Sequence, residues 1–335
     1  MSAQTARVIT LNQKPAPTGS APGIRYVTPL SPDSFQIEGV AASTAAERTT
    51  TAVESLLAEA LDALEKGNPQ ESARLLEQSL RNSPNHTETL LALGYLLHQE
   101  GRFDDASDLY RRAALSDSAA WQPRYNQALI LEAQGETAEA IAMLTHACAI
   151  SPNEPAPLYR LAWLLEASGC DSEAVYWYKR TTVATPNMFE AWLRLGLLQL
   201  RMGDCAEAID SLHRAMGDSA HLALAAYNLG LCHLNLAQPE LAQQAFEAAC
   251  SAEPNATDSL LALAALALAQ GDLDAAERHD RAVRALGAVS APLSLRLAQA
   301  WQACGEIELA RLHYRRAVQA DPSLALGYFG VQSHS

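Results

Sequence analysis

Four polar side chains recur in this sequence at a constant interval of 34 residues: Asn126, Arg160, Arg194 and Asn228. Their chemistry suits an extended polypeptide. An amide side chain both donates to and accepts from a peptide backbone, and a guanidinium holds a carboxylate through two parallel hydrogen bonds. Aromatic residues accompany the row at Tyr95, Tyr125, Tyr159, Trp163 and Tyr227, and such rings add flat contact area at small entropic cost. The same row has an internal use. Glu190 precedes Arg194 by one helical turn, in the favourable order for an ion pair, and Glu132 or Glu190 is available to Arg160. A ligand-gripping row and a self-satisfied polar face are therefore both open.

Catalytic chemistry is absent from the motifs. There is no Gly-rich phosphate loop, no HExxH and no GxSxG. The nine histidines are dispersed, without paired spacing that converges on a metal. Cys148, Cys170, Cys205, Cys232, Cys250 and Cys304 form no CxxC pair and no zinc spacing, and read as reduced core or loop residues. The expectation is no enzyme, no catalytic residue, no cofactor and no metal. A formal net charge of −14, with lysine only at Lys14, Lys66 and Lys179, argues against nucleic acid, which demands a basic stripe. The N-terminus lacks the apolar core of a secretory signal, and the longest apolar run, 260–269, is too short to span a bilayer. A cytoplasmic protein is expected.

The elements that would position the polar row follow from a column of glycines. Gly67, Gly101, Gly135, Gly169, Gly203, Gly271 and Gly305 stand at multiples of 34 residues, and Ala237 fills the one remaining slot. Five residues after each comes a small side chain, from Ser72 through Ala106, Ala174 and Ala242 to Ala310. Apolar-periodic stretches flank every glycine, so each unit reads as a helical hairpin. Glycine ends the first helix in a left-handed turn, and the small residue lets the second helix approach closely. Pro84, Pro152, Pro186, Pro254 and Pro322 stand where second helices stop. The register continues through Ala237, where a locally altered turn is expected.

This pattern resembles the tetratricopeptide repeats (TPRs). Eight units fit without insertion: 53–86, 87–120, 121–154, 155–188, 189–222, 223–256, 257–290 and 291–324. The family's small eighth position reads Ala60, Gly94, Ala128, Ala162, Gly196, Gly230, Ala264 and Ala298; its bulky twenty-fourth reads Leu76, Tyr110, Leu144, Tyr178, Leu212, Phe246, Asp280 and Tyr314. Glu59, Asp280 and Ala288 depart from it, so the first and seventh units are expected to be distorted or less stable. The resemblance implies an all-α, right-handed superhelical solenoid of antiparallel helix pairs, whose first helices line a concave groove. It would place Asn126, Arg160, Arg194, Asn228 and the five aromatics on that groove. The family's chaperone-tail clamp needs a lysine at position five, where this chain has only Leu or Tyr, so that activity is not carried over.

Farther along, the seventh unit offers Leu261, Ala265 and Leu268. This apolar stretch reads as an interface for a partner helix, the N-terminal arm or a second copy, or as helices packed on themselves. Residues 1–52, rich in Pro, Thr and Ala, read as a disordered arm. Within it 24–30 and 35–37 gather large apolar side chains, either a docking motif or incidental hydrophobes. The tail 325–335 makes a poor capping helix. The function expected is a protein-interaction adaptor binding a peptide or protein segment, including one with an acidic end. The alternatives are a self-assembling scaffold, or an assembly chaperone or accessory subunit of an enzyme or secretion complex.

Overall fold

The computed structural model describes residues 45–324; the apolar stretches of the arm and the tail lie outside them. Among the described residues there are sixteen α-helices and no strand. They form two compact units, divided between Thr185 and Pro186. The first unit holds α1 (Ala45–Glu65), α2 (Pro69–Asn82), α3 (Thr87–Gln99), α4 (Phe103–Ser116), α5 (Gln122–Ala133), α6 (Thr137–Ile150), α7 (Pro155–Ala167) and α8 (Asp171–Ala184). The second holds α9 (Phe189–Met202), α10 (Cys205–Ala215), α11 (Ser219–Asn235), α12 (Pro239–Ala252), α13 (Thr257–Gln270), α14 (Leu273–Ala285), α15 (Ala291–Ala303) and α16 (Ile307–Ala320), followed by a 3-10 turn, Pro322–Leu324. In each unit an odd-numbered helix packs on the even-numbered helix that follows it, and each pair packs on the next. Helix α1 begins ahead of the first 34-residue unit, at Ala45.

The turns within the pairs repeat one geometry. Gly101, in the left-handed region at φ 76°, donates to His98 O, while Arg102 N–H reaches Leu97 O. These bonds cap the orphan carbonyls at the end of α3. Ala237 corrects the expectation of an altered turn. It adopts φ 57°, donates to Leu234 O, and is followed by Gln238 N–H bound to His233 O. The hydrogen-bonded turn is kept and the alanine takes the strain, on the order of 1–2 kcal/mol for an L-residue held left-handed.

Close approach of paired helices explains the small positions. Ala174 is fully buried, as are Ala106, Ala140, Ala208, Ala242 and Ala276. At Gly230 an added Cβ would lie 2.4 Å from the Phe246 ring, and at Gly94 2.6 Å from the Tyr110 ring. Between pairs, Arg112 on α4 donates to Pro84 O at 2.6 Å, and Arg180 on α8 donates to Pro152 O at the same distance.

The seventh pair is regular despite Asp280 and Ala288. Asp280 is only 1% exposed but receives Arg284 Nε at 2.8 Å, which supplies the partner a buried carboxylate requires. Gly287, at φ 80°, ends α14 where no proline stands at position 288.

Candidate functional site

The polar row divides between the two units. In the first, Asn126 stands on α5 and Arg160 on α7. Arg160 is 6% exposed and bound in a fork to Glu132: Nε to Oε2 at 2.9 Å and Nη2 to Oε1 at 2.5 Å. Its guanidinium lies over the Trp163 ring, 4.6 Å from the centroid. Of the two carboxylates open to Arg160 from the sequence, Glu132 is the one that pairs with it. Asn126 is 1% exposed, and its side-chain oxygen has no hydrogen-bond partner among the described residues. Beside it the buried Tyr125 meets Trp121 edge-on at 5.6 Å. Tyr159 packs against Tyr178 at 5.9 Å, and the Tyr178 hydroxyl donates to Glu166. Tyr95, on α3, is half-buried.

In the second unit, Arg194 Nε donates to Glu190 Oε1 at 2.9 Å within α9, and His221 approaches the other oxygen of Glu190 at 3.4 Å. Asn228 is buried and donates to Leu224 O one turn back on α11, at 2.7 Å. Tyr227 lies 5.7 Å from Phe246; burial and then the charge of Asp258 raise its hydroxyl above the ordinary tyrosine value. Leu261 and Leu268 are half-buried, packed with Trp301 against a core that includes Ala264, Leu293 and Leu297. Ala265 is half-buried between them on α13.

One assembly escaped the reading of dispersed histidines. His313, wholly buried on α16, places Nε2 2.7 Å from Glu277 Oε2 on α14, and the ligating atoms of Glu277, Asp280 and His313 all lie within 4.8 Å of one another. Arg284 and Arg316 lie among them, with Arg316 Nη1 3.7 Å from Glu277 and 3.8 Å from Asp280. Burial works to raise the Glu277 carboxyl, but the bond to His313 and the charges of His313, Arg316 and Arg284 hold it below the ordinary value. Two carboxylates facing two guanidiniums and the His313 imidazole make this an ionic network joining the seventh and eighth pairs, with its cationic places already taken. No spacing within one helix betrays it, because packing α16 against α14 is what brings the groups together.

Among the described residues no helix is long and apolar enough to cross a membrane. The family model for the tetratricopeptide repeat matches residues 57–120, 99–155 and 193–257. Tetratricopeptide repeat protein 7B of Homo sapiens is 31% identical over 91 residues, a stretch that covers 27% of this chain and 11% of that protein. The chain thus spans a small part of that relative's length. Among solved structures, YrrB, a TPR protein with an unusual peptide-binding site, is 19% identical with a TM-score of 0.50, covering 57% of this chain and 98% of that one. The C-terminal part of a TPR repeat-containing protein from Cytophaga hutchinsonii is 13% identical with a TM-score of 0.57, covering 68% and 94%. At such identities the structural likeness is one of fold.

Proposed function

Because this chain belongs to the tetratricopeptide-repeat family, we propose that it is a non-enzymatic cytoplasmic adaptor that holds an extended peptide or protein segment against the first helices of its repeats. The observation that carries this reading is Asn126, whose amide oxygen is buried with no donor among the described residues. An unmet buried acceptor costs about 1–3 kcal/mol, and a backbone N–H from a bound segment would offset that cost. Tyr125, Tyr159 and Trp163 supply aromatic surface beside it. Arg160 and Arg194 already hold carboxylates, so an acidic end of the segment reaches Arg160 only by exchange with Glu132. The test is affinity capture with mass spectrometry, comparing the full chain with the Asn126→Ala/Asn228→Ala variant after circular dichroism has confirmed equal helix content. A reproducible subset of partners should disappear, and an unchanged set overturns the reading.

A second reading, a self-assembling scaffold, draws on α16, where Ile307, Leu309 and Leu312 are all exposed. Light scattering at micromolar concentration decides it, since a monomer removes it.

A further inference from the structure

Two cysteines that stand apart in the sequence meet in the second unit. Cys205 opens α10 and Cys232 lies on α11. Both belong to one core cluster, with Leu193, Ala208 and Leu229 around them. Asn235, three residues after Cys232 on the same helix, donates through Nδ2 to Cys205 Sγ at 3.6 Å. Residues three apart on a helix share a face, so the side of α11 that carries Cys232 is the side turned to Cys205. Burial first, and then the neighbouring Cys205, push the Cys232 thiol above its ordinary value. The exposures of the two cysteines differ in a useful direction, since Cys205 is 6% exposed and Cys232 is fully buried.

We propose that Cys205 and Cys232 form a dithiol–disulfide pair, in which a hydroperoxide oxidises Cys205 and Cys232 then closes a disulfide onto it. In the first step the Cys205 sulfur attacks the outer oxygen of the hydroperoxide. The O–O bond breaks, the sulfur keeps that oxygen as a sulfenic acid, and the departing alkoxide leaves as an alcohol (water, for hydrogen peroxide) with the thiol proton. In the second the Cys232 sulfur attacks the sulfenic sulfur, the S–O bond breaks, and hydroxide leaves as water with the Cys232 proton. Two thiols lose two electrons and the hydroperoxide gains them. The division of labour follows from burial, which pushes the Cys232 thiol up to about 12; it stays a protonated, shielded thiol until a sulfenic acid forms beside it. The bond would tie α10 to α11, the helix that carries Tyr227 and Asn228, and so lock two successive helix pairs. This chemistry does not depend on the adaptor reading.

The test uses the full reduced chain in native buffer, treated with hydrogen peroxide, alkylated, and digested with trypsin without reduction. The expected product links peptide 202–214 to the peptide bearing Cys232, with fragmentation separating Cys232 from Cys250 on the same tryptic piece. In the Cys232→Ala variant the sulfenic acid at Cys205 should persist and be trapped by dimedone, while in wild type it should be scarce. The wild-type map needs no variant, so poor folding of Cys232→Ala leaves the result intact. If no Cys205–Cys232 link forms at a dose that oxidises the exposed Cys170 and Cys304, the proposal is overturned.

Discussion

Arg160 bridges two helix pairs, with its guanidinium clasped by Glu132 and stacked on Trp163. Removing it strands a mostly buried carboxylate, so Arg160→Ala should cost about 3 kcal/mol, whereas Arg160→Met with Glu132→Leu should come close to neutral. Urea unfolding of the two variants checks the contrast. Glu277 carries a pH dependence. Its folded value lies below the ordinary 4.5, so its contribution is complete above about pH 4.5 and is lost as pH falls through the lower folded value. The gap in urea midpoint between wild type and Glu277→Gln should therefore be open at pH 6 and close toward pH 3; a gap constant over that range counts against the assignment. Legibility at this scale depends on distance along the chain. The Arg194–Glu190 pair lies within one helix and is readable by eye, while Arg160 has two candidate carboxylates until stacking chooses Glu132. The meeting of His313 with Glu277 has no sequence signature at all.

At the level of the helix pair, the small and left-handed positions carry the specificity. Gly230→Ala should cost about 1–3 kcal/mol, because its Cβ would meet the Phe246 ring at 2.4 Å and the core must shift to admit it. Ala237→Gly should do the opposite, gaining about 1 kcal/mol by relieving a left-handed alanine, net of glycine's greater chain entropy. Thermal unfolding monitored by circular dichroism reads both. The glycine column made nearly every pair legible, since a positive φ is demanded at one place in each turn. The same logic fails at Ala237, where the hydrogen bonds of the turn outweigh the residue's own preference. It also fails at Asp280, where a buried position occupied elsewhere by Leu, Tyr or Phe tolerates a carboxylate because Arg284 reaches it.

Across the whole molecule the sequence period runs from α8 into α9 without a break in register, with Pro186 in the usual slot. The division into two compact units therefore has no counterpart in the spacing. In a repeat protein stability is close to a sum of local terms, so a fragment of residues 186–335 should be helical and unfold cooperatively by itself; a fragment without helical signal would rule this out. Arg112 and Arg180, each gripping the carbonyl of the proline that closes the preceding pair, bear on how such a chain can change length. One residue inserted between Pro84 and Arg112 would displace donor from acceptor by up to about 3.8 Å, beyond hydrogen-bonding range. Duplication of an entire unit would reproduce the grip intact. The chain can thus be lengthened by a whole repeat with this grip kept, and loses it when lengthened by less.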